Sequence, residues 1–424
     1  MITAAMAAML LAPALAAAAP GPAAAAPGPA GAPEYWFDAW RVPQLWRDGA
    51  RGQRITIAEI DTGVNAALPE LQGRVLPGAD FGASGGDGRT DREINEFGHG
   101  TAMASIMVGR SGVLGMTGLA PAATVLPIAV PLAGTTGASA DDHLPRAIRW
   151  AADHGAKIIS MSLGGSRTQG HNARSCPDSE QQAIFHALSK GAVLFASSGN
   201  RGTSDNAVEE PGVCLGVVSV GAVDQRNTVA TFSSRHAYLT MSAPGVDVAS
   251  LGRVPGSVYS GDGTSQATAI ASAAAALVWS KYPTLSGRAL VTRLLATLDH
   301  RRASPDPAYG LGILNAYRAV TASVPANATN PVYATAEPFL ARARALQSPQ
   351  PSAPPTPARQ APAPPGTVAV DAYPRLATPQ VIHGLLVSGA GLAALLVLAV
   401  IAVVRRRTRA RALVVIIAEH GPPD

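Results

Sequence analysis

Lysine is nearly missing from this chain of 424 residues: Lys157, Lys190 and Lys281 stand alone among 33 basic residues. With its wealth of Ala, Gly (43) and Pro (35), the chain bears the codon bias of a GC-rich bacterial genome. Cysteine is scarce as well, and a single pair, Cys176 and Cys214, excludes a small scaffold held together by disulfides. Charged residues make up 14%, well below the usual quarter, against 47% hydrophobic. That balance excludes a wholly disordered chain and places apolar length outside an ordinary core. The first 33 residues carry no acidic or basic side chain at all.

Both ends have the pattern of targeting segments. The apolar run Met6 to Ala19, followed by small residues and Pro20, is read as a secretory leader cleaved between Ala19 and Ala26. Because a basic start is lacking, an Ala/Pro tail is the alternative. Near the other end Gly384 to Val404 is 21 residues without a charge, long enough to cross a bilayer core of roughly 30 Å at 1.5 Å per residue. Five Arg follow within Arg405 to Arg411, which places residues 405–424 in the cytoplasm and the bulk of the chain outside. The same five Arg equal the whole formal net charge of +5, so the basic balance reports membrane orientation and gives no support to a nucleic-acid partner. Eight Pro in the 17 residues Pro349 to Pro365 mark residues 325–383 as an extended linker. With two Cys only one disulfide is available, and outside a bacterial membrane it is expected to form; two free buried thiols are the alternative.

Residues 55–324 alternate strands and helices. Apolar runs at Ile55 to Ile60, Thr124 to Ile128, Lys157 to Met161, Val193 to Ala196 and Val217 to Val220 are separated by helical patterns at Gly100 to Gly109, Asp141 to His154 and Ser179 to Lys190. Continuous apolar strands between helices predict an α/β domain, a parallel sheet covered on both faces. Functional residues then belong at the carboxyl ends of the strands. Asp61 ends the first strand, His99 lies between two Gly at the start of a helix, and Ser265 follows a Gly-rich turn into an Ala-rich helix. Singly each has a plain structural reading: turn residue, helix-start histidine, N-cap. Together they are the hydroxyl, the imidazole and the orienting carboxylate that serine acyl transfer requires, in the order Asp, His, Ser. Asn200, after the strand ending at Ala196, supplies an amide able to donate to the developing oxyanion.

These residues sit in Ile60-Asp61-Thr62-Gly63, His99-Gly100-Thr101, Ser162-Leu163-Gly164-Gly165, Ser198-Gly199-Asn200 and Gly263-Thr264-Ser265, five motifs in one order over roughly 290 residues. The chain resembles the subtilisin-like serine proteases. The resemblance implies a catalytic triad of Asp61, His99 and Ser265, with Asn200 as oxyanion donor. It implies that Ser162, Leu163, Gly164, Ser197 and Gly199 pair with an extended protein or peptide substrate, and that no cofactor is required. Structural calcium occurs in that family, but no acidic loop here is specific enough to assign it. The stretch Asp87 to Glu96 contains Arg89 and Arg92 and reads as a flexible insertion.

Within that family the chain looks most like the mycosins, membrane-anchored enzymes associated with type VII secretion in actinobacteria. The leader, the C-terminal span, the Pro-rich spacer and an aromatic segment carry this narrower resemblance. In that segment Tyr35, Trp36, Phe37, Trp40 and Trp46 require cover, so residues 27–54 are expected to wrap the protease domain. The Cys176 and Cys214 pair resembles a disulfide of the same group. Membrane anchoring and a secretion complex as partner follow as expectations, with a mainly structural subunit or a soluble degradative protease as the competing readings. Gln266 and Ala269 depart from the family pattern of an apolar residue after the nucleophile and a Pro four residues beyond it. Glu59 departs more sharply: it lies on the same side of the strand as Asp61, about 6.6 Å away. It must be paired with an Arg or protonated, and unpaired it would slow hydrolysis.

Overall fold

The computed structural model describes residues 34–347 apart from 83–84, 112–114, 116, 133–142 and 167–175. The chain divides into two units, Met1–Gln350 and Pro351–Asp424, and every described residue lies in the first. The expected leader 1–26, span 384–404 and tail 405–424 lie outside the described residues. Among the described residues no helix is long and apolar enough to cross a membrane.

Eleven strands are defined: β1 (Thr56–Asp61), β2 (Ala79–Asp80), β3 (Thr124–Ala129), β4 (Ile158–Met161), β5 (Gly165–Ser166), β6 (Val193–Ser197), β7 (Glu209–Glu210), β8 (Val217–Val223), β9 (Met241–Pro244), β10 (Val248–Leu251) and β11 (Val258–Gly261). Seven form one parallel sheet in the order β2-β3-β1-β4-β6-β8-β9. The central strands β4, β6 and β8 are buried at every position, which is why their apolar runs are continuous. The helices are α1 (Tyr35–Ala39), α2 (Val42–Arg47), α3 (His99–Val108), α4 (Leu144–Asp153), α5 (Asp178–Ser189), α6 (Thr264–Lys281), α7 (Gly287–Ala296), α8 (Ala316–Thr321) and α9 (Pro331–Gln347). α3 packs on α6 and α4 on α5, and both sets reach β1, whose edges are taken by β3 and β4. The sheet is therefore covered on both faces.

α6 has no polar stripe because only its last residue, Lys281, faces water: every residue from Thr264 to Ser280 is buried. Its Ala-rich middle, Ala271 and Ala273 to Ala276, lets the backbone lie close to the sheet, where Ser272 Oγ is 2.9 Å from Ser160 Oγ. The aromatic segment is folded onto this domain. Trp36 and Leu45 are buried, the Trp46 indole donates to the Leu119 carbonyl at 3.0 Å, and Gly52 N–H donates to Ser280 Oγ at 3.0 Å.

Two expectations are corrected. Residues 325–383 are not linker throughout, since α9 occupies Pro331–Gln347, buries Tyr333 and Leu340, and stacks Phe339 on Phe185 of α5 at 5.2 Å. Helix-forming Ala and Leu carry the fold past the boundary suggested by the prolines beyond it. Residues 87–96 are not a free insertion either: Asp91 is buried, Arg92 makes two hydrogen bonds to Asp80 Oδ2 at 2.7 and 2.9 Å, and Arg253 donates to the Asn95 and Ile94 carbonyls.

Candidate active site

β1 is the strand at which the order of connection turns, with β3 on one side and β4 on the other, and Asp61 ends it, fully buried. His99 is the first residue of α3. Its Nδ1 lies 2.8 and 3.0 Å from Asp61 Oδ1 and Oδ2, and Oδ1 also accepts the Thr62 N–H at 2.8 Å. With Nδ1–H donating to the carboxylate, Nε2 is the nitrogen left to exchange a proton. Burial opposes charge on the ring, but the Asp61 charge and hydrogen bond, joined by the charges of Glu93 and Asp91, outweigh it and raise the imidazole to about 9.

Asp91 ties the two motifs together. Its Oδ1 accepts from Thr62 Oγ1 at 2.9 Å and from Glu93 N–H at 3.1 Å; its Oδ2 accepts from Thr101 N–H at 2.9 Å and Thr101 Oγ1 at 2.6 Å. Thr62 Oγ1 accepts the Gly100 N–H at 2.9 Å, so the residue after Asp61 is bonded to the residue after His99. Glu93 Oε2 accepts the His99 backbone N–H at the open end of α3.

Glu59 is buried in β1 and, among the described residues, has no cation paired with it. Of the two sequence-level alternatives the structure selects protonation: desolvation first, then the charges of Asp61 and Asp91, push the carboxyl well above its usual range. A neutral Glu59 adds no second charge next to Asp61.

Ser265 lies in the first turn of α6. Its hydroxyl donates to the Ser162 carbonyl at 2.9 Å, while Ser162 Oγ donates to the Ser265 carbonyl at 3.0 Å. Among the described residues no hydrogen bond joins Ser265 Oγ to His99, so the hydroxyl must leave the Ser162 carbonyl before it can pass its proton to the imidazole. Asn200 Oδ1 accepts from Thr264 N–H and Thr264 Oγ1, both at 2.9 Å. A backbone N–H can only donate, so the orientation of the amide is fixed and its NH₂ is left for another acceptor. Leu163, Gly164, Ser197, Gly199, Asn200 and Ser265 line one cavity of about 370 Å³. Backbone donors at the start of α6 and the Asn200 amide make this a place where negative oxygen is stabilised.

Cys176 and Cys214 are joined by a disulfide with 4.8 Å between Cα atoms. Cys176, Glu180 and Cys214 are close enough for a metal site, yet sulfurs bonded to each other offer no thiolate. The acidic stretch is also committed to protein donors: Asp91 to the threonines, Glu93 to His99 and Asn95, Asp87 to Arg89. It does not fit a cation.

Sequence reasoning missed Asp91, Glu93, Thr264 as the anchor of Asn200, and Glu209, which also lines the cavity. A local signal exists only for Thr264, adjacent to Ser265.

Residues 52–312 match the subtilase family, peptidase S8, and the chain belongs to it. It is a subtilisin-type serine protease. It is 34% identical over 278 residues to Subtilisin DY of Bacillus licheniformis, covering 65% of this chain and 94% of that protein. Among solved structures it is similar to the MycP3 protease from the type VII (ESX-3) secretion system, with a TM-score of 0.59 and 28% identity over 70% of this chain and 90% of that one. It is also similar to the serine protease MycP1, described as an essential component of the type VII (ESX-1) secretion system, with a TM-score of 0.59 and 26% identity over 70% of this chain and 92% of that one.

Proposed function

We propose that this chain is a membrane-anchored, extracytoplasmic serine endopeptidase that processes substrates of, or stabilises, a type VII secretion system. In this reading Ser265 attacks the peptide carbonyl, and His99 takes its proton at Nε2 and later gives it to the leaving amine. Asp61 holds the imidazole tautomer, and Asn200 with the Ser265 N–H holds the oxyanion. Ser162 to Gly164 and Ser197 to Gly199 pair with an extended substrate strand. The observation that carries the chemistry is the Asp61 to His99 hydrogen bond at the end of β1, with Ser265 and Asn200 lining the neighbouring cavity. The likeness to MycP3 and MycP1 supports the secretion role, and the apolar run 384–404 with its Arg stop supports the anchor.

A second reading, a scaffold subunit with little catalysis, draws on two observations. The Ser265 hydroxyl is bonded to Ser162, and His99 is raised to about 9, so the site is not primed at neutral pH. Complementing a deletion strain with Ser265→Ala separates the two. Lost secretion at normal protein level is the expected result; full secretion would establish the scaffold. Fractionation of cells expressing the whole chain is expected to place it in membranes, and recovery in the soluble fraction would remove the anchor.

A further inference from the structure

The cavity beside Ser265 is lined by two charged side chains that hydrolysis itself does not call for, Arg201 and Glu209. Glu209 comes from β7, which pairs antiparallel with β5 so that Glu209 stands opposite Ser166, just past the Ser162 to Gly164 segment. Its backbone is held from the other side, where Glu209 N–H donates to Tyr238 Oη at 3.2 Å and Tyr238 O–H donates to the Ser198 carbonyl at 3.3 Å. The strand pairing thus delivers the side chain between the two segments that face a substrate.

The space it fills is defined by two glycines. A Cβ on Gly164 would collide with Glu209 Oε2, and a Cβ on Gly199, whose φ is +109°, would lie 2.7 Å from Cδ and 2.8 Å from Oε1. The carboxylate is therefore wedged between the walls of the cavity, and Glu209 is only 7% exposed. Among the described residues it has no ion-pair partner. Arg201, which lines the same cavity, is occupied by Asp205, to which its Nε and Nη2 donate at 2.6 and 2.5 Å. Burial pushes the Glu209 carboxyl up, Arg201 lowers it and Asp205 raises it again, as expected of an acid in want of a counter-charge.

A peptide laid along Ser162 to Gly164 and Ser197 to Gly199 brings the residue whose carbonyl meets Ser265 to this same cavity. We propose that Glu209 makes the cavity a binding site for a basic side chain, so that the enzyme cleaves peptide bonds that follow Arg or Lys. The inference rests on Ser265 as nucleophile and goes beyond it by naming the substrate class. A guanidinium or ammonium entering between Gly164 and Gly199 forms a charge-assisted bond with the carboxylate, and an aliphatic or acidic side chain leaves that carboxylate buried without a partner.

The test uses the full-length chain in detergent and internally quenched peptides that differ only at the residue before the scissile bond: Arg, Lys, Leu, Phe or Glu. Sites of cleavage are read by mass spectrometry, and rates are normalised by titrating reactive serine with a fluorophosphonate probe. Normalisation separates a pocket that prefers another side chain from a chain whose Ser265 does not react. The wild-type chain is expected to favour Arg and Lys over Leu and Phe at least tenfold in kcat/KM. In Glu209→Gln the Arg-to-Leu ratio falls about 100-fold, and in Glu209→Lys the preference moves toward Glu. Equal cleavage after Leu and Arg by the wild-type chain, or an unchanged ratio in fluorophosphonate-reactive Glu209→Gln, would overturn the proposal. For a slow enzyme, peptide aldehydes ending in argininal or leucinal report the same pocket by thermal shift; a larger shift with argininal supports it and equal shifts overturn it.

Discussion

The two halves of the site are built from opposite chemistry. Around His99 three acidic residues, Asp61, Glu93 and Asp91, act on one imidazole. Around Ser265 the structural parts are neutral: an Ala-rich helix, the Thr264 hydroxyl and the Asn200 amide. The acidic half sets how strongly the base holds its proton. The neutral half sets where the nucleophile and the oxyanion stand. Proton affinity and geometry are thus tuned by separate elements, α3 with its loop and α6, which pack on each other beneath the reacting atoms.

The largest effect should come from the neutral half. Ser265→Ala is expected to lower kcat by about 10⁶-fold, the scale found when a subtilisin loses its nucleophile, with the fold intact by circular dichroism. Asn200→Ala should cost about 10² to 10³ in kcat with little change in KM, because its amide acts on charge that exists only in the transition state. An equal rise in KM would instead make Asn200 a ground-state binder. In the acidic half, Asp91→Asn removes a charged acceptor shared by Thr62, Thr101 and Glu93, and is expected to destabilise the chain by about 1–3 kcal/mol, read as a lower melting temperature. An unchanged melting temperature would show that the loop is not held as described.

The smallest effect sharpens the comparison most. Glu93→Gln removes one charge that raises His99, so the pH at which kcat/KM reaches half its limit should fall while the limiting rate changes little. The sign for stability is the reverse of that for activity. A histidine raised from 6.5 to about 9 stabilises the fold fully below pH 6.5 and loses that contribution as pH rises through about 9, while the neutral base needed for catalysis appears over the same interval. The wild-type enzyme should therefore gain activity and lose stability together on the alkaline side, and Glu93→Gln should shift both curves toward neutral pH.

What was legible in the sequence follows the same division. Asp61, His99, Asn200 and Ser265 lie in short motifs at strand ends and helix starts, where a few adjacent residues dictate the local backbone. Parallel strands such as β6 and β8 were legible because burial on both faces leaves an uninterrupted apolar run. Asp91 and Glu93 were hidden because mixed charges in a loop have the composition of a solvated surface, and only the fold brings them under Thr62, Thr101 and His99. Glu209 owes its place to the pairing of β7 with β5, a contact between segments more than 40 residues apart. Glu59 was recognised as anomalous from the sequence, but only burial without a cation decides that it is protonated. α9 escaped because the prolines beyond it mask a helix that exists through its packing on α5.

The rate at which a fluorophosphonate reacts with the full-length chain, followed from pH 6 to 10, reads Ser265 and His99 in one experiment. Labelling is expected to be absent in Ser265→Ala, to rise in the wild-type chain with a midpoint near 9, and to have its midpoint displaced downward in Glu93→Gln. Labelling that persists in Ser265→Ala, or a wild-type rate independent of pH across that range, would contradict that expectation.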